Sequence, residues 1–199
     1  RKYWVYDIET LKNCYTYTAL NIDTEEIKTF VIHYSRNDLK ALKTHLNDVK
    51  LEIGFNNVSF DSQINQFIVS NYYELILLEP NEITQQIYSY TQKTISNSNS
   101  GGWPDVPEWE LYVKQLDLFK IKHFDNKAKT QSLKGLEFWM QYPNVQDMPI
   151  NHTDLVDNTQ IDMILSYNLN DVMATYEFYK LCTSEIELRE QLSEEFNLN

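Results

Sequence analysis

Asp7 and Glu9 stand two residues apart in the run Tyr3-Trp4-Val5-Tyr6-Asp7-Ile8-Glu9. Side chains two apart on a strand share a face, so both carboxylates would project together. Like charges held half-buried need a counter-charge, and a divalent cation suits two hard oxygen donors. On a wetted face the same pair would be two solvated acids. A third carboxylate, Asp61, closes the run Gly54-Phe55-Asn56-Asn57-Val58-Ser59-Phe60-Asp61, where a strand ends and a helix opens. By itself Asp61 also reads as a helix N-cap. Tyr167 and Asp171, in Tyr167-Asn168-Leu169-Asn170-Asp171, lie one helical turn apart and on one side. Alone, they read equally as the polar rim of an amphipathic helix.

These groups depend on the elements that carry them. Tyr3 to Glu9 alternates in the manner of a strand and is expected to end at a turn at Thr10. Cys14–Ile22 and Ile27–His33 read as two further strands, joined by Asp23-Thr24-Glu25-Glu26. Asn37 is expected to cap a helix bearing Leu39, Leu42, Leu46 and Val49 at helical spacing. Leu51–Phe55 reads as a short buried strand, followed by a helix from Asp61 and another after Pro80. Ser96–Ser100 with Gly101-Gly102-Trp103-Pro104 reads as a surface loop. Leu116–Phe119 is the next expected strand, and Leu133–Gln141 the next helix. A long helix follows from Ile161, its apolar stripe expected at Ile161, Leu165, Leu169, Val172 and Tyr176. This order predicts a layered α/β domain.

With 199 residues, 42% of them hydrophobic, the chain can bury one sizeable core, so one compact domain is expected. No apolar run approaches the roughly 20 residues needed to span a bilayer, so no membrane partner is expected. No signal peptide is expected. Cys14 and Cys182 form no CxxC pair and fit small core thiols in a reducing cytosol, so a cytoplasmic location is expected. The net charge of −12 argues against a tight, free-standing duplex binder. Lys114, Lys120, Lys122, Lys127, Lys129 and Lys134 nevertheless form a local basic band on this acidic body.

An Asp-x-Glu on the first strand, an aromatic-Asp entering a helix and a Tyr-x-x-x-Asp on a late helix occur here in order. This resembles the three exonuclease motifs of the DEDD superfamily of 3′–5′ exonucleases, in its tyrosine subtype. The resemblance spans nearly the whole chain. It implies an RNase H-like fold, a central mixed β-sheet flanked by helices. It also implies that Asp7, Glu9, Asp61 and Asp171 hold two divalent metal ions, Mg2+ or Mn2+, and that these four act catalytically together with Tyr167. Two metals about 4 Å apart serve both the attacking and the leaving oxygen of a phosphodiester. Tyr167 would position the attacking water, since a phenol with pKa near 10 is a poor general base.

Ser132-Leu133-Lys134-Gly135-Leu136 looks like the single-strand-binding motif of protein-primed phage DNA polymerases, and reads equally as a capped helix start. In that family an Asn and the Phe before the second-motif Asp touch the terminal nucleotides. Asn57 and Phe60 match these places, with Asn56 a rival for the first. The resemblance thus implies strand contacts from Thr10, Asn57, Phe60, Ser132 and Leu133. The stretch Asp117–Lys127 and Glu185-Ile186-Glu187-Leu188-Arg189 also look like phage DNA polymerases, the latter like the lead-in to their polymerase domain. The implied division is an exonuclease domain over residues 1–182 and a helical segment over 183–199. The implied partners are a single-stranded DNA 3′ end and a polymerase, in cis or as a subunit, for which the chain would proofread. One departure stands out: protein-primed enzymes carry a lysine shortly before the third-motif Tyr, and none lies between Lys134 and Lys180. Lys122, Lys127 or Lys129 are the expected substitutes. Other readings are a stand-alone exonuclease on RNA or short oligonucleotides, and a catalytically silent nucleic-acid-binding module.

Overall fold

The computed structural model describes residues 1–124 and 131–196. Three antiparallel strands come first: β1 (Tyr3–Leu11), β2 (Cys14–Asn21) and β3 (Ile27–His33). A two-residue strand β4 (Arg36–Asn37) edges β3. On the other side of β1 lie β5 (Leu51–Gly54) and β6 (Lys114–Asp117), both parallel to their neighbours. The result is one mixed six-stranded sheet in the order β4-β3-β2-β1-β5-β6.

Alternation along the strands sorts the core into two layers. Trp4, Tyr6 and Ile8 of β1 and Tyr15, Tyr17 and Ala19 of β2 face one way, against α1 (Leu39–Asp48), α2 (Asp61–Ser70), α3 (Tyr72–Leu75) and α4 (Pro80–Asn99). Val5, Leu20 and Ile53 face the other way. There they meet α5 (Leu118–Ile121), α6 (Leu133–Trp139) and α7 (Ile161–Phe196), through residues such as Leu118, Leu136, Val172 and Phe178. Leu11, Cys14 and Val31 continue that second layer against Ile161 and Ile164. The protein is therefore α/β, a mixed sheet with helices on both faces. Cys14 and Cys182 are both buried free thiols. Among the described residues no helix is long and apolar enough to cross a membrane.

Several elements differ from the sequence expectation. Thr10 is not a turn: β1 stays paired to β2 through Thr10↔Tyr15 and Leu11↔Cys14, and the hairpin turns at Lys12-Asn13. The N-cap of α1 is Asp38, whose carboxylate instead accepts from Val31 N at 2.9 Å. Asn37 still contributes, its Oδ1 accepting from Leu39 N at 3.2 Å. Ser96–Asn99 is helical, because α4 runs on until Gly101 takes a φ of 75° and Gly102 N closes onto Asn97 O at 2.9 Å. The strand expected at Leu116–Phe119 ends at Asp117, whose Oδ1 accepts from Phe119 N at 3.0 Å and turns the chain into α5. Finally, α7 continues through Thr183 without a break, and Ile186 is buried in the same core as Val172.

The inward face of α7 is also rotated from the expected stripe. Leu165, Leu169 and Tyr176 are only partly buried, whereas Ile164, Asn168, Asp171, Thr175, Phe178 and Cys182 are buried. A purely apolar stripe misses this, because the middle of the inward face is polar. That polar middle is where the candidate site lies.

Candidate metal centre

β1 pairs with β5 only through Tyr3↔Leu51, Trp4↔Glu52 and Val5↔Ile53. Asp7 and Glu9 therefore project beyond the end of β5, on the same side as Val5 and Leu11, toward α7. This is the carboxyl end of the parallel strands β1, β5 and β6, where open α/β sheets leave a crevice. One oxygen each from Asp7, Glu9 and Asp171 lie within 4.8 Å of one another. Asp171 reaches them from the inward face of α7. Glu9 and Asp171 are buried, and Asp7 is half-buried.

Asn168, one turn before Val172 on α7, fixes the geometry. Its Nδ2 donates to Asp7 Oδ2 at 2.6 Å, and its Oδ1 accepts from Thr16 Oγ1 at 3.1 Å. Thr16 is the β2 partner of Glu9. The helix and the hairpin are thus tied through the Asp7 carboxylate and the Thr16 hydroxyl. Sequence reading missed Asn168, whose partner Asp7 is remote in the chain.

Asp61 stands outside this triad of oxygens but shares its electrostatics. It is the first helical residue of α2, after Phe60 at the N-cap position, so the N-cap reading of Asp61 does not hold. Burial and then neighbouring carboxylates push Asp7 and Glu9 well above the usual carboxyl range, and Asp61 is among those neighbours for both. Burial likewise raises Asp61, with Asp117 and Asp171 among the adjoining charges. Asp171 is pushed up to about 6, chiefly by burial, with Lys134 pulling it back. Crowded, buried carboxylates are the donor set that a hard divalent ion fits.

Tyr167 is buried, and its hydroxyl lies beside the Asp171 carboxylate. Burial, then Asp171, Glu9 and Asp7, raise the phenol above its ordinary value, so it stays protonated at neutral pH. Lys134 Nζ lies 5.8 Å from the centre of the Tyr167 ring. Its charge lowers the carboxyl pKa of both Glu9 and Asp171. Lys134 thus brings a cation to the site from α6, where the sequence grouped it with the basic band. Glu137, one turn further on, is buried with neither carboxylate oxygen hydrogen-bonded among the described residues, and is raised to about 7 by burial and Asp171.

The expected strand-contacting residues fall in different places. Phe60 is half-buried beside Asp61. Asn57 is fully buried, with Nδ2 donating to Gln115 Oε1 at 2.7 Å, and its Cβ sits where a side chain on Gly54 would clash, at 2.6 Å. Its rival Asn56 is the exposed one, at φ 58° with N donating to Asp117 Oδ1 at 2.8 Å. Thr10 is buried and, by alternation, points to the opposite face of the sheet from Glu9. Ser132 is exposed and caps α6, its Oγ accepting from Gly135 N at 3.1 Å, while Leu133 packs partly into the core with Val172. The structure thus bears out the capped helix start.

Three lysines of the basic band are answered by acids. Lys120 pairs with Glu108 at 2.8 Å, Lys134 with Asp147 at 2.5 Å, and Lys122 with Glu185. Lys122 is therefore engaged at α7 rather than at the carboxylates. The expectation for Lys127 and Lys129 lies outside the described residues.

The raised carboxyl groups predict how stability depends on pH. In the metal-free protein, Asp7, Glu9, Asp61 and Asp171 bind protons more tightly folded than unfolded, where carboxyls titrate near 4. Their contribution is therefore favourable in acid and is lost as pH rises from about 4 through the folded values. In EDTA the melting temperature is expected to fall between pH 5 and pH 8, and saturating Mn2+ is expected to flatten that slope. Scanning calorimetry over that range, with Asp171→Asn as a comparison, measures both. Identical slopes with and without the ion would contradict a shared binding site.

No family model, curated protein or solved structure matches the chain.

Proposed function

We propose that this chain is a metal-dependent 3′–5′ exonuclease of the DEDD type, tyrosine subtype, with an RNase H-like arrangement of its sheet. It would release nucleoside monophosphates from single-stranded DNA ends, as the proofreading module of a phage-type DNA polymerase in cis or as a separate subunit. The observation that carries this reading is the convergence of Asp7, Glu9 and Asp171 oxygens within 4.8 Å, from a strand and a helix far apart in sequence. Bound there, two divalent ions, Mg2+ or Mn2+, would neutralise charge on the attacking and leaving oxygens.

The chain's own groups have separate tasks in this reading. Asp7, Glu9, Asp61 and Asp171 hold the ions, with Asn168 keeping Asp7 in its rotamer. The Tyr167 hydroxyl, protonated at neutral pH, orients the water while remaining a hydrogen-bond donor. Lys134 offers its ammonium to the phosphate of the strand end. Phe60, beside Asp61, stacks on the terminal base, which suits a site that must accept any sequence.

A chain with a net charge of −12 grips a phosphate backbone weakly, so capture is expected to be strongly salt-dependent. Single-stranded ends are expected to be cut in preference to blunt duplex, because fraying a pair costs energy that a small site does not recover. Phe60→Ala is expected to weaken strand binding by about 1–3 kcal/mol with metal affinity unchanged. Single-stranded DNA, single-stranded RNA and blunt duplex of one sequence, digested at two salt concentrations, test these points together. Equal, salt-insensitive rates on single strand and duplex would contradict the weak end clamp, and faster loss of RNA would move the substrate to the other sugar.

A further inference from the structure

Trp103 is 89% exposed, although the segment that carries it is firmly held. α4 runs antiparallel to α2: Phe67 of α2 stacks on Tyr90 of α4 at 4.6 Å between ring centres. The start of α2 therefore meets the end of α4, and Ser59, Thr94, Asn97 and Trp103 line one small depression. The segment after α4 thus begins at the end of the molecule where Asp61 enters the site. Trp103 O accepts from Asn97 Nδ2 at 2.6 Å, and Lys93 pairs with Asp105 at 2.7 Å. Val106 exchanges two hydrogen bonds with the Gln63 side chain, at 3.0 and 2.9 Å, two residues beyond Asp61. An indole left in water forgoes the stabilisation of burial, and here it does so on a backbone tied down on both sides.

We infer that Trp103 is a second base-stacking platform, taking a nucleotide of a single strand upstream of the one held at Phe60. This rests on the exonuclease reading, and continuity with that site is what selects nucleic acid as the occupant. Ser59, at the rim of the depression, is the residue directly before Phe60. A flat aromatic face accepts every base, and two such faces would hold a strand in register without reading its sequence. In a chain with a net charge of −12, stacking adds affinity beyond the terminal nucleotide without needing a basic surface.

The test compares wild type, Trp103→Ala and Trp103→Phe on an oligothymidylate long enough to reach the indole and on a thymidine dinucleotide. Stacking of one base predicts a roughly 5- to 150-fold rise in Kd and KM for the long strand in Trp103→Ala. Partial recovery is expected in Trp103→Phe, with no change in kcat or in dinucleotide cleavage for either variant. The strand should also quench tryptophan fluorescence in the wild type and less so in Trp103→Ala. Unchanged affinity for the long strand in Trp103→Ala, while the wild type still cleaves, would overturn the platform and leave the exonuclease reading standing. A wild type that neither binds nor cleaves either substrate would overturn both.

Discussion

Asp7→Ala is expected to abolish nucleotide release while the chain still folds. Asp7 lies at the meeting point of the site: its oxygens belong to the triad with Glu9 and Asp171, and it accepts from Asn168. Metal-ion stabilisation of a developing oxyanion is worth several kcal/mol. At about tenfold for each 1.4 kcal/mol, its loss is on the order of a thousandfold or more in rate. Two effects on stability oppose each other. The substitution removes a carboxyl whose charged form burial, Glu9, Asp171 and Asp61 all disfavour, whereas Asn168 Nδ2 loses its acceptor, which costs about 1–3 kcal/mol. In EDTA the variant should therefore melt close to the wild type, and it should show none of the stabilisation that Mn2+ gives the wild type. Rates and melting curves from one preparation separate loss of chemistry from loss of fold. Normal cleavage by Asp7→Ala would remove the carboxylate cluster from the mechanism.

Tyr167→Phe deletes one hydroxyl and keeps the ring that lies against Lys134. Strand affinity and metal affinity should hold, while turnover falls by roughly ten- to a thousandfold, the range from modest proton-transfer effects to loss of one oriented donor. The phenol is held above its ordinary pKa by burial and by Asp171, Glu9 and Asp7, so its role is to orient through hydrogen bonding rather than to abstract a proton. The loss should accordingly appear in kcat with KM unchanged, and no phenol titration should appear in the wild-type rate profile at neutral pH. Unchanged turnover would make Tyr167 a packing residue under α6.

How far the sequence foretold this arrangement can be followed residue by residue. The hairpins were legible because aromatic and β-branched residues are dense in the three runs between Tyr3 and His33, and the two-residue period of a strand also put Asp7 and Glu9 on one face. The spacing of Tyr167 and Asp171 placed both on one side of α7, and they do meet β1. Asn168 was not legible, since its partner Asp7 lies 161 residues away in sequence and an amide has no periodic signature. The rotated face of α7 was hidden for the same reason: a hydropathy stripe counts Asn168 and Asp171 as outward. The choice between Asn56 and Asn57 turned on backbone geometry, a positive φ at Asn56 and the space left by Gly54, which residue type alone does not encode. The basic band read as free charge because Glu108, Glu185 and Asp147, which pair with its lysines, come from other elements.

The central claim is that this carboxylate cluster removes nucleotides from a 3′ end through bound divalent ions. Its most direct test is a time course of a 5′-labelled single-stranded DNA incubated with the wild-type chain in Mg2+, in Mn2+, in EDTA, and in EDTA followed by excess Mg2+. The account predicts a ladder shortening one nucleotide at a time from the 3′ end with either ion, none in EDTA, and recovery when Mg2+ is restored. An intact strand in every lane, or equal shortening in EDTA, would contradict it.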